Sequence, residues 1–256
     1  MKQFTAEDGV EIAYQEWGPP SDLPPVLLHH GFVADAHVNW VLPGVVGALV
    51  DAGRSVVAPD ARGHGRSGKP HDPALYGEQA MARDLSTLVD VIGAAEVDLV
   101  GYSMGAIVSL IAATAEPRIR RLVVGGVGAA IVELGGVDTR VVPNDALVAA
   151  LEADDPTTIT DPEAGGFRLF ADAVGADRLA LAAQARSVHA SPIALDRITA
   201  PTLLLAGEDD VLATRPEVFA GAIAGARLER LTGDHMGAIA DPRFIPLIVD
   251  FVGAGA

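Results

Sequence analysis

The stretch Gly101-Tyr102-Ser103-Met104-Gly105 sets a serine between two glycines, directly after the apolar run Val97–Val100 and before an apolar helical pattern reaching about Ala115. A serine held on a sharp strand-to-helix turn needs small residues two before and two after it. A side chain there would collide with the neighbouring backbone, and the turn lifts the hydroxyl to the carboxyl edge of a sheet. The dipole of the following helix favours negative charge developing at that point. A hydroxyl becomes a nucleophile only when a base takes its proton and an acid orients the base. Among the seven histidines, His235 alone follows a late strand and precedes the final helix, in Thr232-Gly233-Asp234-His235-Met236-Gly237. His29 and His30 end a strand beside Gly31, and His64 sits in a glycine-rich turn, so these three read as structural. The orienting carboxylate should follow a strand and precede the histidine. Glu208-Asp209-Asp210, after Leu203–Ala206, meets that condition.

The elements needed to position these groups are legible as an alternation. Phe4–Thr5 and Val10–Glu16 flank Glu7-Asp8-Gly9 and predict a hairpin. Val26–His29, Ser55–Pro59, Val97–Val100, Ile119–Val124 and Thr202–Ala206 are short apolar runs of the kind buried on both faces of a parallel sheet. Met81, Leu85, Leu88, Val89 and Ile92 fall on one helical face, as do Phe244, Leu247, Ile248 and Phe251. Strands alternating with helices predict a doubly wound α/β sheet. From Ala129 to Arg197 no strand pattern is present. Pro143, Pro156, Pro162 and Pro192 punctuate helical pieces at Asp145–Glu152 and Gly166–Gln184. The division expected is a core of residues 1–128 and 198–256, with 129–197 as a helical cap or lid.

Bulk properties narrow the function further. With 256 residues, half of them hydrophobic and 20% charged, the chain is long enough for one sizeable core. Its 18 Lys and Arg against 34 Asp and Glu give a net charge of −16, which repels nucleic acid and anionic lipid. The absence of cysteine excludes disulfides, thiol nucleophiles and Cys-ligated metals. Met1–Asp8 carries two acids and no apolar stretch, and the longest apolar run, Leu122–Val132, is too short for a membrane span. The expected setting is the cytoplasm, as a monomer or homodimer.

These residues resemble the α/β-hydrolase superfamily over nearly the whole length. Besides the serine turn, His30-Gly31-Phe32 is similar to the family's oxyanion loop, and Asp60-Ala61-Arg62-Gly63-His64-Gly65-Arg66-Ser67-Gly68 to the segment after its next strand, read here as scaffold. The order serine, acid, histidine along the chain is that of this family, not that of the chymotrypsin or subtilisin types. The resemblance implies an α/β-hydrolase fold with a mostly parallel eight-stranded sheet. It implies Ser103 as nucleophile, His235 as base and Asp210, three residues after Gly207, as the acid. Asp209 is the first alternative, with Glu133 or Asp138 after the preceding strand as others. It places the oxyanion donors on the backbone N–H groups of Phe32 and Met104. Ala106, where many relatives have a second glycine, is a small departure. Dehalogenases and epoxide hydrolases of this fold use Asp at the turn, so Ser103 disfavours their chemistry.

The activity implied is hydrolysis of a small carboxylic ester or lactone, enol-lactones included, with no metal and no organic cofactor. Three rivals share the scaffold. They are cofactor-free haloperoxidase or perhydrolase chemistry; carbon–carbon hydrolysis of a diketone acid, for which Arg168, Arg178 and Arg186 could supply an anion site; and a catalytically inactive small-ligand receptor. Val33, Trp40, Ile131, Phe167 and Phe170 are the candidate pocket walls.

Overall fold

A computed structural model describes residues 1–253. Its centre is an eight-stranded sheet in the order β1-β2-β4-β3-β5-β6-β7-β8. The strands are β1 (Lys2–Thr5), β2 (Glu11–Trp17), β3 (Val26–His29), β4 (Val56–Pro59), β5 (Val97–Tyr102), β6 (Ile119–Gly125), β7 (Thr202–Gly207) and β8 (Arg227–Leu231). β1 and β2 form the predicted hairpin, and β2 runs antiparallel to β4. All other pairings are parallel. The chain therefore has the α/β-hydrolase fold.

The side-chain alternation of the central strands builds two cores. Leu27, Leu99, Leu122 and Leu204 face one side and pack with Met81 and Leu85 of α2 (Glu78–Val91) and Ile107 of α3 (Met104–Ala113). Val26, Leu28, Val100 and Leu203 face the other, against Val45 and Leu49 of α1 (Val45–Asp51) and the residues Phe244 and Ile248 of the C-terminal helix Phe244–Gly253. Burial on both faces explains why these strands read as unbroken apolar runs.

Between β6 and β7 the chain is helical: α4 (Ala130–Glu133), α5 (Asn144–Glu152), α6 (Pro162–Val174) and α7 (Arg178–Ala185). The single helix expected over Gly166–Gln184 is broken. Gly175 ends α6 at φ 66°, and Asp177 caps α7 by accepting from the Leu179 and Ala180 amides. A third apolar cluster lies here, where Leu147, Leu151, Leu181 and Ala182 meet Val33 and Leu212. Three short or C-terminal helices complete the chain: α8 (Pro216–Ala220), α9 (Gly237–Ala240) and α10 (Phe244–Gly253). The expected core range 198–256 ends in residues 254–256, which lie outside the described residues. Among the described residues, no helix is long and apolar enough to cross a membrane.

One buried ion pair fastens the amino end of the sheet. Asp98 on β5 accepts from Arg54 and from Arg120 Nε at 2.9 Å, while Arg54 Nη1 donates to the Val252 carbonyl at 2.7 Å. The Arg54 and Asp98 side chains are 2% and 0% exposed. Removing one partner of such a pair leaves the other charge buried without compensation. Asp98→Ala should therefore lose about 3–5 kcal/mol in urea denaturation. A loss below about 1 kcal/mol would show that water reaches Arg54 readily.

Candidate active site

Ser103 sits between β5 and α3 at φ 55° and ψ −117°, a conformation that non-glycine residues rarely adopt. The flanking glycines make the turn possible. A side chain at Gly101 would overlap the Gly105 carbonyl and the Ser109 hydroxyl, and one at Gly105 would overlap the carbonyls of His29 and His30. The Ser103 amide donates to the Gly125 carbonyl at 2.8 Å, tying the turn to the end of β6.

The carboxyl ends of four strands converge here: β3 leads to Phe32, β5 to Ser103, β7 to Asp210 and β8 to His235. His235 Nδ1 lies 2.8 Å from Asp210 Oδ2, and His235 Nε2 lies 3.0 Å from Ser103 Oγ. An ionised carboxylate only accepts, so Nδ1–H donates to Asp210 and Nε2 is left to accept from the serine hydroxyl. Asp210 is itself fixed, since its Oδ1 accepts from the Leu212 amide at 2.9 Å. Its neighbour Asp209 is exposed. Glu133 is engaged by Arg140 and Arg215, and Asp138 by Arg140. Asp210 is thus the carboxylate the structure brings to His235.

The loop after β3 passes against the serine turn, where a side chain at Gly31 would touch Ser103 Cβ at 3.4 Å. The Gly31 amide donates to Asn39 Oδ1 at 2.8 Å, which fixes the loop's path. Among the described residues, the Phe32 and Met104 amides donate to no protein acceptor. The other histidines near the site are locked in neutral roles. His30 Nδ1 donates to the Gly31 carbonyl and its Nε2 accepts from the Ala61 amide, both at 2.8 Å. Burial pushes His29 and His64 down to about 3. Asp60 accepts from the Ala36 and Arg66 amides, and Arg62 grips Asp84 and Asp8, so the Asp60–Gly68 loop braces the scaffold.

A cavity of about 730 Å³ opens over Ser103. Phe167 and Phe170 of α6 form part of its wall together with Leu212, Met236 and Ile245. Three expected wall residues lie elsewhere. Trp40 is wholly buried in the core that includes Val45 and Leu49 of α1, Ile131 is buried in the core on the other face of the sheet, and Val33 belongs to the apolar cluster of the 129–197 segment. The three arginines considered as an anion site are also committed elsewhere. Arg168 binds the Ala150 and Ala153 carbonyls, Arg178 the Leu151 and Ala153 carbonyls, and Arg186 pairs with Glu152. The cavity's lining residues include the acids Glu163 and Asp241 and neither Lys nor Arg. Among the described residues, no group of three or more His, Asp and Glu is arranged to hold a metal ion.

Sequence reasoning did not single out Tyr102 or Asn39. The Tyr102 hydroxyl donates to the His235 carbonyl at 2.7 Å, and its ring centroid lies 5.4 Å from that of His235. Gly126 keeps clear of the same imidazole, since a side chain there would approach His235 Cε1 to 2.9 Å.

Comparison with known proteins agrees with the fold. The sequence model for the alpha/beta hydrolase fold family matches residues 24–134. Epoxide hydrolase A of Mycobacterium tuberculosis is 39% identical over 101 residues, covering 40% of this chain and 30% of that protein. A non-heme chloroperoxidase of Streptomyces lividans is 37% identical over 110 residues, covering 41% and 36%. The matched segment thus spans about a third of the length of these relatives. Over nearly the whole chain, a hydrolase from Pseudomonas aeruginosa superimposes with a TM-score of 0.80 at 27% identity, covering 99% of this chain and 98% of that one. Residues 24–134 thus match the alpha/beta hydrolase family, and the chain as a whole has that family's fold.

Proposed function

We propose that the chain hydrolyses a small, uncharged carboxylic ester or lactone through an acyl intermediate on Ser103. The observation that carries this reading is the continuous chain of hydrogen bonds from Asp210 through His235 to Ser103 at the floor of an apolar cavity. Ser103 Oγ attacks the carbonyl carbon as its proton passes to His235 Nε2. Asp210 holds the tautomer that leaves Nε2 free and stabilises the imidazolium. The Phe32 and Met104 amides receive the oxyanion, each worth roughly 3–4 kcal/mol in the transition state. The imidazolium returns its proton to the leaving alkoxide, and water resolves the acyl group with His235 again as base. Helices α5 to α7 act as the lid, with Phe167 and Phe170 on its inner face.

A serine at the turn, not a carboxylate, favours acyl chemistry over epoxide opening. The acidic cavity wall and the committed arginines count against a diketone acid as substrate. Perhydrolase or haloperoxidase chemistry is the second reading, favoured by the match to the chloroperoxidase of Streptomyces lividans. It uses the same acyl-transfer groups, with peroxide replacing water. A panel of p-nitrophenyl esters and lactones, run beside acetate- and peroxide-dependent bromination, separates the two. Faster bromination than ester hydrolysis would reverse their order.

Ser103→Ala is expected to abolish hydrolysis and labelling by a fluorophosphonate while the thermal transition remains cooperative. Continued labelling would move the nucleophile to another serine. Asp210→Asn should lower kcat by at least roughly a hundredfold, since the wrong tautomer costs ~10⁴ in a serine protease, with Asp209→Asn within about tenfold of the parent. The opposite ranking would make Asp209 the orienting acid. Phe170→Ala removes apolar wall from the cavity, so kcat/KM for aryl or long-chain esters should fall roughly tenfold relative to short ones. Equal losses across the series would show that α6 does not line the bound substrate.

A further inference from the structure

Ser103 stands at the junction of two chambers. Behind the wide cavity lies a second space of about 50 Å³, reached past Phe32, Phe167 and Leu212, which border both. It runs beneath Met104 and Ile107 of α3 toward α7. A single water needs roughly 10–15 Å³ measured this way, so the chamber takes only a few heavy atoms. Its wall is apolar, with Val137, Leu147 and Val188 among the contributors, apart from Ser103 at its mouth and three polar side chains, Glu78, Gln184 and Asn144. None of these is a cation.

Glu78 is unusual for this position. It is the first residue of α2, is 2% exposed, and has no basic partner among the described residues. Its Oε2 accepts from the His189 amide at 2.6 Å. Gln184 is oriented by the Gly77 amide, which donates to Gln184 Oε1 at 3.1 Å and so turns the Gln184 NH₂ toward Glu78. That NH₂ stands 3.4 Å from Glu78 Oε1, longer than an ordinary hydrogen bond. Oε1 therefore keeps acceptor capacity, and Nε2 keeps a second hydrogen to donate. Burial raises the Glu78 carboxyl to about 7, the mark of a group without a neutralising partner. Gly77 cannot yield space, because at φ 103° a side chain would press on the Ser187 carbonyl. The start of α2 and the end of α7 are thus held together with a buried acceptor and a buried donor between them.

We propose that Glu78 and Gln184 form a subsite that receives a hydroxyl group on a short acyl arm of the ester, while the wide cavity receives the alcohol portion. A hydroxyl donates to Glu78 Oε1 and accepts from Gln184 Nε2 at once. A carboxylate would meet Glu78 with no cation among the lining residues, and an ammonium, which could donate to Glu78, has no lone pair to accept from Gln184 Nε2. The chamber's size limits the arm to a few carbons. The inference rests on the ester-hydrolase reading, because it assigns the acyl side of that substrate.

The test is a set of phenyl esters that share one leaving group: acetate, propionate and butyrate beside glycolate, lactate, 3-hydroxypropionate and 3-hydroxybutyrate. For the unaltered protein, kcat/KM of at least one hydroxylated ester should exceed that of its plain counterpart about tenfold. Glu78→Leu should reduce that ratio to about one or below, and Gln184→Met, on the opposite side of the subsite, should lower it several-fold. The ratio is read only in variants whose Ser103 still reacts with a fluorophosphonate, and Glu78→Gln, which can still accept from the His189 amide, serves if Glu78→Leu does not fold. A purely structural role for Glu78 would change both members of each pair alike. Esters hydrolysed with the same ratio in all proteins would overturn the subsite and leave the ester reading standing. No hydrolysis of any ester would overturn both.

Discussion

The close approach of the Ser103 turn to the loop after β3 governs the arrangement of everything around it. The two chain segments touch through Gly105, whose α-carbon lies where any side chain would enter the His29 and His30 carbonyls. That approach brings Phe32 beside Ser103, and the positive φ of Ser103 points its hydroxyl out of the sheet edge. Strain of this kind costs of order 1–3 kcal/mol and persists only where surroundings over-determine it. Here the surroundings are β5 buried along its whole length, α3 buried over most of its length, and the Ser103 amide bonded to Gly125. The strain is local, and the two cores hold it.

The electrostatics follow from the same geometry. The chain carries a net charge of −16, yet the groups near Ser103 are mostly neutral or internally satisfied. His29 and His64 are kept uncharged by burial, and Asp60 is occupied by backbone amides. This leaves His235 and Asp210 as the polar pair that addresses the serine, with the Tyr102 hydroxyl holding the backbone behind the imidazole. The acidic surface and the acids on the cavity wall both disfavour an anionic ligand.

Much of this was legible in the sequence, for identifiable reasons. β3, β4, β5, β7 and residues 122–125 of β6 are buried on both faces and so stand out as apolar runs. The serine turn is written in its two glycines. β8 is an edge strand whose sequence, Arg227–Leu231, mixes three charged residues with two leucines and is partly exposed, so it carries little apolar signal. The break between α6 and α7 is signalled locally by Gly175 and Asp177, although the helical composition on both sides hides it. Trp40 and Ile131 show the limit of reading walls from type alone, since a large apolar side chain near a motif looks the same in a core as in a cavity. The Tyr102–His235 and Glu78–His189 contacts join residues 133 and 111 positions apart, and no local pattern encodes them.

The proposed mechanism requires an acyl group on Ser103 during turnover. Intact-protein mass spectrometry of samples quenched within the first turnovers of a p-nitrophenyl ester, followed by peptide mapping, measures it directly. A transient acyl adduct is expected on the peptide containing Ser103, forming with the burst of nitrophenol and decaying at the steady-state rate. Turnover with an adduct on any other residue, or rapid release of nitrophenol from a protein whose Ser103 peptide is never modified, would contradict it.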